Sequence, residues 1–396
     1  METTGVLIAG GGIAGLSAAA RLAADGHEVV LVDPAPADGP KEPDLRTTAI
    51  LQPGIATLAK AGVWDGLEGL GAPLCIMRIV DAGGRDPVPR ETADFDAETA
   101  GHDLFGWNVP NQPAKDALGN ALRVQSNVRL INDTRVTGFT PRLDQAIVRL
   151  SDGTQIGAKL VLAADGREST LRGLAGINHR RWAYGQKALV CAVTHPRPHD
   201  GVSTEIHRTG GPLTLVPMPD FEGLPCSSIV WMMPGRQASD LAQQDDSGIS
   251  QALTQSTMNL FGPLQITGPK AIWPIISQVA LSVRGPRLAL AAEAAHVMPP
   301  IGAQGLNTSL HDVETLAGLI KDAPDPGAPE LLDRYQMQIL PRTMARVAGV
   351  DLLNRAAQAE AQPIRDLRRL GLSATNRIKP LRDLAIRTGL GVSPPR

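Results

Sequence analysis

The sequence predicts an α/β protein in two lobes, a nucleotide-binding type of sheet with a strand-rich lobe inserted into it. Three observations lead there. A strand, glycine turn, helix and strand open the 396-residue chain. Strand-to-helix signals return near residue 288. Between about 177 and 286 the pattern changes to separated apolar runs with many Gly and Pro, which suits strands.

Taken in order, residues 6–9 form a short apolar strand that runs into Gly10-Gly11-Gly12-Ile13-Ala14-Gly15 and the helical run LSAAARLAADG. A second strand, 28–32, ends at Asp33. The Pro-rich stretch 34–44 cannot continue a strand or a helix. Beyond it, 52–61 and 113–123 read as helices and 76–80 and 146–150 as strands. The turn Ser151-Asp152-Gly153 then leads to another strand, 160–163.

An isolated G-x-G-x-x-G is weak evidence, but this one follows a strand, opens a helix and has an acid about 20 residues on. Gly10 permits the tight turn, Gly12 lets backbone amides approach a pyrophosphate, and Gly15 lets helix pack on strand. The positive end of the helix faces the phosphates, and Asp33 is expected to accept hydrogen bonds from ribose hydroxyls. The structural alternative is a glycine turn without a ligand. FAD and NAD share the ADP half, so the turn alone does not choose between them.

Composition excludes several classes. A formal net charge of -2 offers no basic field for nucleic acid. Cys75, Cys191 and Cys226 are widely spaced and odd in number, which suits a reducing compartment. His179, His195, His199 and His207 have no metal-ligand spacing, and no metal is expected. The N-terminus does not read as a secretory signal and no apolar run reaches membrane-spanning length. The expected location is cytoplasmic, with membrane association left open.

Two further motifs select flavin. LVLAADGREST carries Asp165 and Gly166 at the end of a strand, with Ser169 and Arg172 after them, and RLALAAEAAHVMPPIGAQGLNTSLHD runs from a strand through a proline loop into a helix. With the glycine turn and Asp44-Leu45-Arg46, these resemble the group A flavoprotein monooxygenases of the p-hydroxybenzoate hydroxylase-like fold. The resemblance spans nearly the whole chain in the right order. It implies FAD as cofactor, with Asp165 and Gly166 near the pyrophosphate and Arg46 at the cofactor. It also implies a flavin-ring loop containing Pro300, Gly302 and Gln304, followed by Gly305, Leu306 and Asn307 at the start of the next helix. Ala292-Glu293 stands where that family usually has Gly-Asp, so Glu293 takes the ribityl-binding place. Gln112, at a helix start where relatives often carry Arg, is expected to touch the cofactor. His296 reads either as a structural, hydrogen-bonded histidine or as an acid-base group.

The wording PPIGAQGLNTSLHDVETLAGLI, the run Asp44 to Ala49 and the C-terminal segment look most like the ubiquinone-biosynthesis hydroxylases. That likeness implies a polyprenylated phenol as substrate, O2, and NAD(P)H or another electron donor. It further implies oxygen addition at the flavin C4a position and a place in a ubiquinone-biosynthesis complex. It divides the chain into FAD-binding segments 1–75, 101–176 and 287–345, substrate-lobe segments 76–100 and 177–286, and a C-terminal helical segment 346–396. From 362 to 389 seven cations stand against two acids, interleaved with Leu and Ile. That makes it a basic amphipathic segment suited to a membrane surface or a partner, or else a solvated helix on its own lobe. The alternatives are a hydroxylase of another hydrophobic aromatic, a halogenase or isoprenoid reductase of the same fold, and a degenerate homologue serving as a complex subunit. The halogenase Trp-x-Trp-x-Ile segment is absent.

Overall fold

A computed structural model describes residues 1–36, 44, 46–83, 88–359 and 361–390. Residues 37–43 of the Pro-rich stretch and Leu45 of the Asp44-Leu45-Arg46 motif lie outside them.

Apolar strands buried on both faces build the first sheet, which is why they read as continuous hydrophobic runs. Its order is Arg284–Gly285, Leu288–Leu290, Gln155–Ala163, Glu2–Ala9, Val29–Val32, Val128–Ile131. The pairs centred on Glu2–Ala9 are parallel, in register from Glu2 opposite Ile156 to Ala9 opposite Ala163. That match extends the first strand back from the expected 6–9, because polar Glu2, Thr3 and Thr4 find ladder partners in Ile156, Gly157 and Ala158. Ala146–Leu150 and Val136–Pro141 add antiparallel strands.

Helix Ile13–Ala24 packs against Asn111–Arg123 and Gln304–Ile320. Val6, Leu7 and Ile8 of the strand and Ala18, Ala19 and Ala20 of the first helix have no solvent exposure, so helix packs closely on strand at the glycine turn.

A second sheet, antiparallel except where Val202–Arg208 meets Ile76–Asp81, has the order His296–Val297, Ala271–Ala280, His179–Thr194, Leu224–Pro234, Gly211–Phe221, Val202–Arg208, Ile76–Asp81, Glu91–Asp96. Two residue sets alternate along it, as the pleat requires. Val80, Ile206, Leu213 and Ile229 join a core with helices Gly235–Ala242 and Asp246–Ser256. Ser203, Glu205 and His207 face the other way, into a cavity. A small third sheet, Thr47–Leu51, Gly106–Pro110 and Ala72–Leu74, connects the lobes.

The two-residue strand His296–Val297 leaves the first lobe and pairs with Ala271–Ala280 of the second sheet. A cluster of Ala188, Val190, Met232, Met298, Ile301, Val347 and Val350 then holds the proline loop between that sheet and the long helix Pro329–Gln358. The loop is therefore packed from both lobes. Helices Gln362–Arg377 and Lys379–Leu390 follow.

Candidate active site

A cavity of about 840 Å³ runs from the glycine turn past the proline loop to the second sheet and beneath the two C-terminal helices. The glycines of the turn divide the work. Gly10 has φ +108° and a Cβ there would lie 2.3 Å from the Ala164 carbonyl oxygen. A Cβ on Gly15 would lie 1.9 Å from the Gly10 oxygen, so both are required by backbone contact alone. A Cβ on Gly12 would meet nothing within 4 Å, and Gly12 borders the cavity. The helix it caps has no side-chain cap and no acid in its first turn. Its free N–H groups and the dipole thus offer an anion site.

Asp33 stands beside the turn rather than among the described lining residues. Its oxygens accept from the backbone amides of Gly11 and Ala35. It holds the turn's shape, and each oxygen keeps acceptor capacity for a hydroxyl.

In the middle motif, Gly166 lines the cavity with φ +87°. One oxygen of Asp165 accepts from the Leu171 amide at 3.1 Å, and the other is buried without a partner. This motif also holds the third one. Arg172 donates to the Ala294 carbonyl at 2.9 Å, and Arg167 makes two bonds of 3.1 Å to Glu293. Glu293 borders the cavity with its carboxylate held in that bidentate pair.

The proline loop lies between two alanines in left-handed backbone, Ala292 at φ +54° and Ala303 at φ +56°. A side chain there costs about 1–2 kcal/mol that glycine does not. Ala292→Gly is therefore expected to raise stability by up to about 1 kcal/mol, since the added freedom of the unfolded chain cancels part of the relief; an unchanged or lowered thermal midpoint would sink that account.

Pro300, Gly302, Gln304, Gly305 and Leu306 all line the cavity, and the helix Gln304–Ile320 begins there without a side-chain cap. Asn307 does not line it. Its side chain accepts from the Leu51 amide at 2.9 Å and donates to the Ala49 and Ala303 carbonyls at 2.7 Å, which fixes the helix to the third sheet. Gln304 donates to Gly302 at 2.7 Å and to Gly389 of the last helix at 2.5 Å. His296 touches the cavity wall yet is 2% exposed, and it bonds Asp312 at 2.7 Å.

Arg46 borders the cavity, bonded to Asp44 at 2.7 and 2.8 Å and stacked 5.3 Å over Trp273 of the second lobe. Burial pushes the Asp44 carboxyl up, but bonds and charge from Arg46 with a bond from Asn111 outweigh it and hold it at about 2. Asp44 is thus an anion at any working pH.

Gln112 turns away, donating to Asp116 on its own helix. The helix starts at Asn111, two residues earlier than the sequence pattern suggested, and Asn111 lines the cavity and bonds Thr48 and Asp44 instead.

Sequence reading also missed a second-lobe pair. His207 Nε2 lies 2.6 Å from Glu205 Oε1, both facing the cavity from alternate positions of one strand. The signal was there in Glu-x-His on a strand, where period two puts both on one face.

Two uncapped helix ends, an open glycine and a carboxylate at Glu293 surround one cavity of ligand-binding size, and Asp165, beside the lining Gly166 in the chain but not itself in the lining, keeps an orphaned buried acceptor. They fit FAD: the first helix end and Gly12 would hold the pyrophosphate, and the second the ring edge that gains negative charge on reduction. Fold and site define a flavoprotein of the two-lobed monooxygenase class. A family profile described as FAD binding domain matches residues 3–349, and the chain belongs to that family.

The chain is 33% identical to the ubiquinone hydroxylase UbiL of Rhodospirillum rubrum, covering 99% of this chain and 91% of that one. It is 28% identical to the 3-demethoxyubiquinol 3-hydroxylase of Escherichia coli, covering 99% of each. The solved structure of p-nitrophenol 4-monooxygenase PnpA from Pseudomonas putida superposes with a TM-score of 0.80 over 98% of both chains, at 19% identity. The Diels-Alderase PyrE3 superposes at 0.74 over 99% of this chain and 81% of that one, at 22% identity. Such distant structural likenesses establish the fold alone, and the second pair shows how far chemistry diverges on it. The chain is an FAD-dependent monooxygenase, which uses O2 and an NAD(P)H-type electron donor.

Proposed function

We propose that this enzyme hydroxylates the aromatic ring of a polyprenylated phenol in ubiquinone biosynthesis. The observation that carries this is a single cavity reaching from both bare helix ends to an apolar chamber bounded by Met77, Ile79, Phe95, Val216, Val230 and Ile386. The similarity to ubiquinone hydroxylases over nearly full length supports the choice of substrate.

FAD, when bound, supplies the electron transfer and oxygen activation. The chain's residues do the rest. Gly12 and the first helix end bind the pyrophosphate, while Glu293, clamped by Arg167, borders the ribityl path. The packed proline loop positions the ring, and the apolar walls exclude water.

His207, oriented by Glu205, receives the proton of the substrate's ring hydroxyl, which raises the ring's electron density. His207→Gln is expected to slow turnover by about 100-fold with flavin content intact. The deficit shrinks as pH rises toward the phenol's own ionisation near about 10. A pH-independent loss would assign His207 a structural role. The reading also includes association with other ubiquinone-biosynthesis enzymes, tested by co-purification at native expression levels.

The decisive experiment is the visible spectrum of the purified chain, followed by O2 uptake and product analysis with a prenylphenol. Bound FAD and a hydroxylated prenylphenol are expected. Hydroxylation of only unprenylated aromatics would move the enzyme to another pathway. A colourless chain that stays so with added FAD, while Glu293→Asp turns yellow, would mark a degenerate homologue serving as a complex subunit.

A further inference from the structure

The last two helices carry apolar stripes on their outer faces as well as apolar residues within. Helix Gln362–Arg377 has no buried residue, and Ile364, Leu367 and Leu370 are 45%, 69% and 60% exposed. On the second, Leu381 and Leu384 are 42% and 55% exposed, and Ile378, in the extended junction before it, is 48% exposed. Each set is spaced by three residues, so each forms one stripe along its helix. A helix lying on its own protein in water turns such a stripe inward.

Here arginines point inward instead. Arg368 bonds Asp81 at 2.6 to 2.8 Å, with side chains 9% and 1% exposed, and Arg365 donates to the Gly83 carbonyl at 3.1 Å. Arg90 bridges Asp81 to Asp366, and Arg382 donates to the Asp94 carbonyl at 2.8 Å. Polar pegs thus fasten the pair to the second sheet and leave the apolar stripes outside, flanked by exposed Arg369, Arg377, Lys379 and Arg387.

We propose that this face docks on an anionic phospholipid surface, with the leucine stripes entering the interface and the four cations meeting lipid phosphates. A double apolar stripe rimmed by cations matches an anionic bilayer in both hydrophobicity and charge. No helix among the described residues is long and apolar enough to cross a membrane, so the contact is peripheral. The inward side of the same helices, through Leu372, Thr375, Ala385 and Ile386, lines the cavity. On the hydroxylase reading, a lipid-tailed phenol therefore has one helical layer to pass between bilayer and site.

The test is co-sedimentation of the full flavin-loaded chain with vesicles of phosphatidylcholine, with or without a quarter of phosphatidylglycerol. No substrate is needed, so the outcome is separate from that of the hydroxylase assay. The wild type is expected to pellet with the anionic vesicles and to be released by salt. The triple variant Leu367→Ser, Leu370→Ser, Leu381→Ser should bind at least ten-fold more weakly with unchanged flavin content and melting. Arg369→Gln with Lys379→Gln should lose the preference for anionic lipid. Failure of the wild type to bind either vesicle overturns the proposal in favour of a protein partner, as does a triple variant that binds as well as the wild type.

Discussion

Gly12→Val is expected to give a folded, colourless protein, and Gly15→Val a protein that does not fold. Both positions belong to one six-residue turn, yet only the second is crowded by the chain itself. A Cβ on Gly15 would lie 1.9 Å from the Gly10 oxygen and 3.6 Å from the Ala164 Cβ, with turn backbone on one side and the end of the neighbouring strand on the other. Backbone cannot yield as a side chain can, so the cost is about 3 kcal/mol or more. At Gly12 the backbone is extended, at φ -69° and ψ 170°, and a valine there meets no protein atom with its Cβ. It fills the space through which the first helix's amides reach the pyrophosphate. The apoprotein keeps its fold but forgoes the stabilisation that bound FAD adds by mass action. Circular dichroism with the 450 nm region of the absorption spectrum separates the cases. A yellow Gly12→Val protein would mean that the cofactor's phosphates bind elsewhere.

Asp312→Ala carries the second large effect, a loss of roughly 3–5 kcal/mol in stability. His296 and Asp312 are each 1% exposed in their side chains and bond at 2.7 Å, one leaving the third motif and the other on the helix that follows the proline loop. Deleting the carboxylate strands a buried imidazole and opens a void where helix and loop meet. Asp312→Asn keeps an acceptor for His296 and should cost much less. The thermal midpoint of the alanine variant should fall by on the order of 5–10 °C. A shift of only a degree or two would mean that the Asn307 clip and the apolar cluster hold the loop by themselves. The expected drop would make the pair a brace for the proline loop. On the proposed mechanism, acid-base work falls to His207, which lines the cavity.

Much of the architecture was legible in one dimension because its signals are local. A glycine turn, the strands beside it and the acid after the second strand lie within some thirty residues, and each obeys a short-range rule. The proline loop was readable by likeness to a family, and the structure lines the cavity with Pro300, Gly302, Gln304, Gly305 and Leu306. Other assignments depended on direction. Gln112 and Asn111 are neighbours, yet a helix turns them about 100° apart, which sends Asn111 into the cavity and Gln112 toward Asp116 on its own helix. Asn307 belongs to the same motif as its lining neighbours, but its side chain closes on Leu51 and Ala49, more than 250 positions away.

What the sequence by itself determined is the nucleotide-binding lobe, because a phosphate-binding turn works through backbone shape that a few glycines dictate, and, through the likeness of its later motifs to a family, the flavin and its chemistry. What only the tertiary structure decided is how distant side chains pair. Arg167 fastens Glu293, Asp312 braces His296, and Arg368 on Asp81 pegs the C-terminal helices to the second sheet. Such pairs join residues whose separation along the chain carries no periodic signal. Their energies depend on burial, which exists only once both lobes have packed around the cavity.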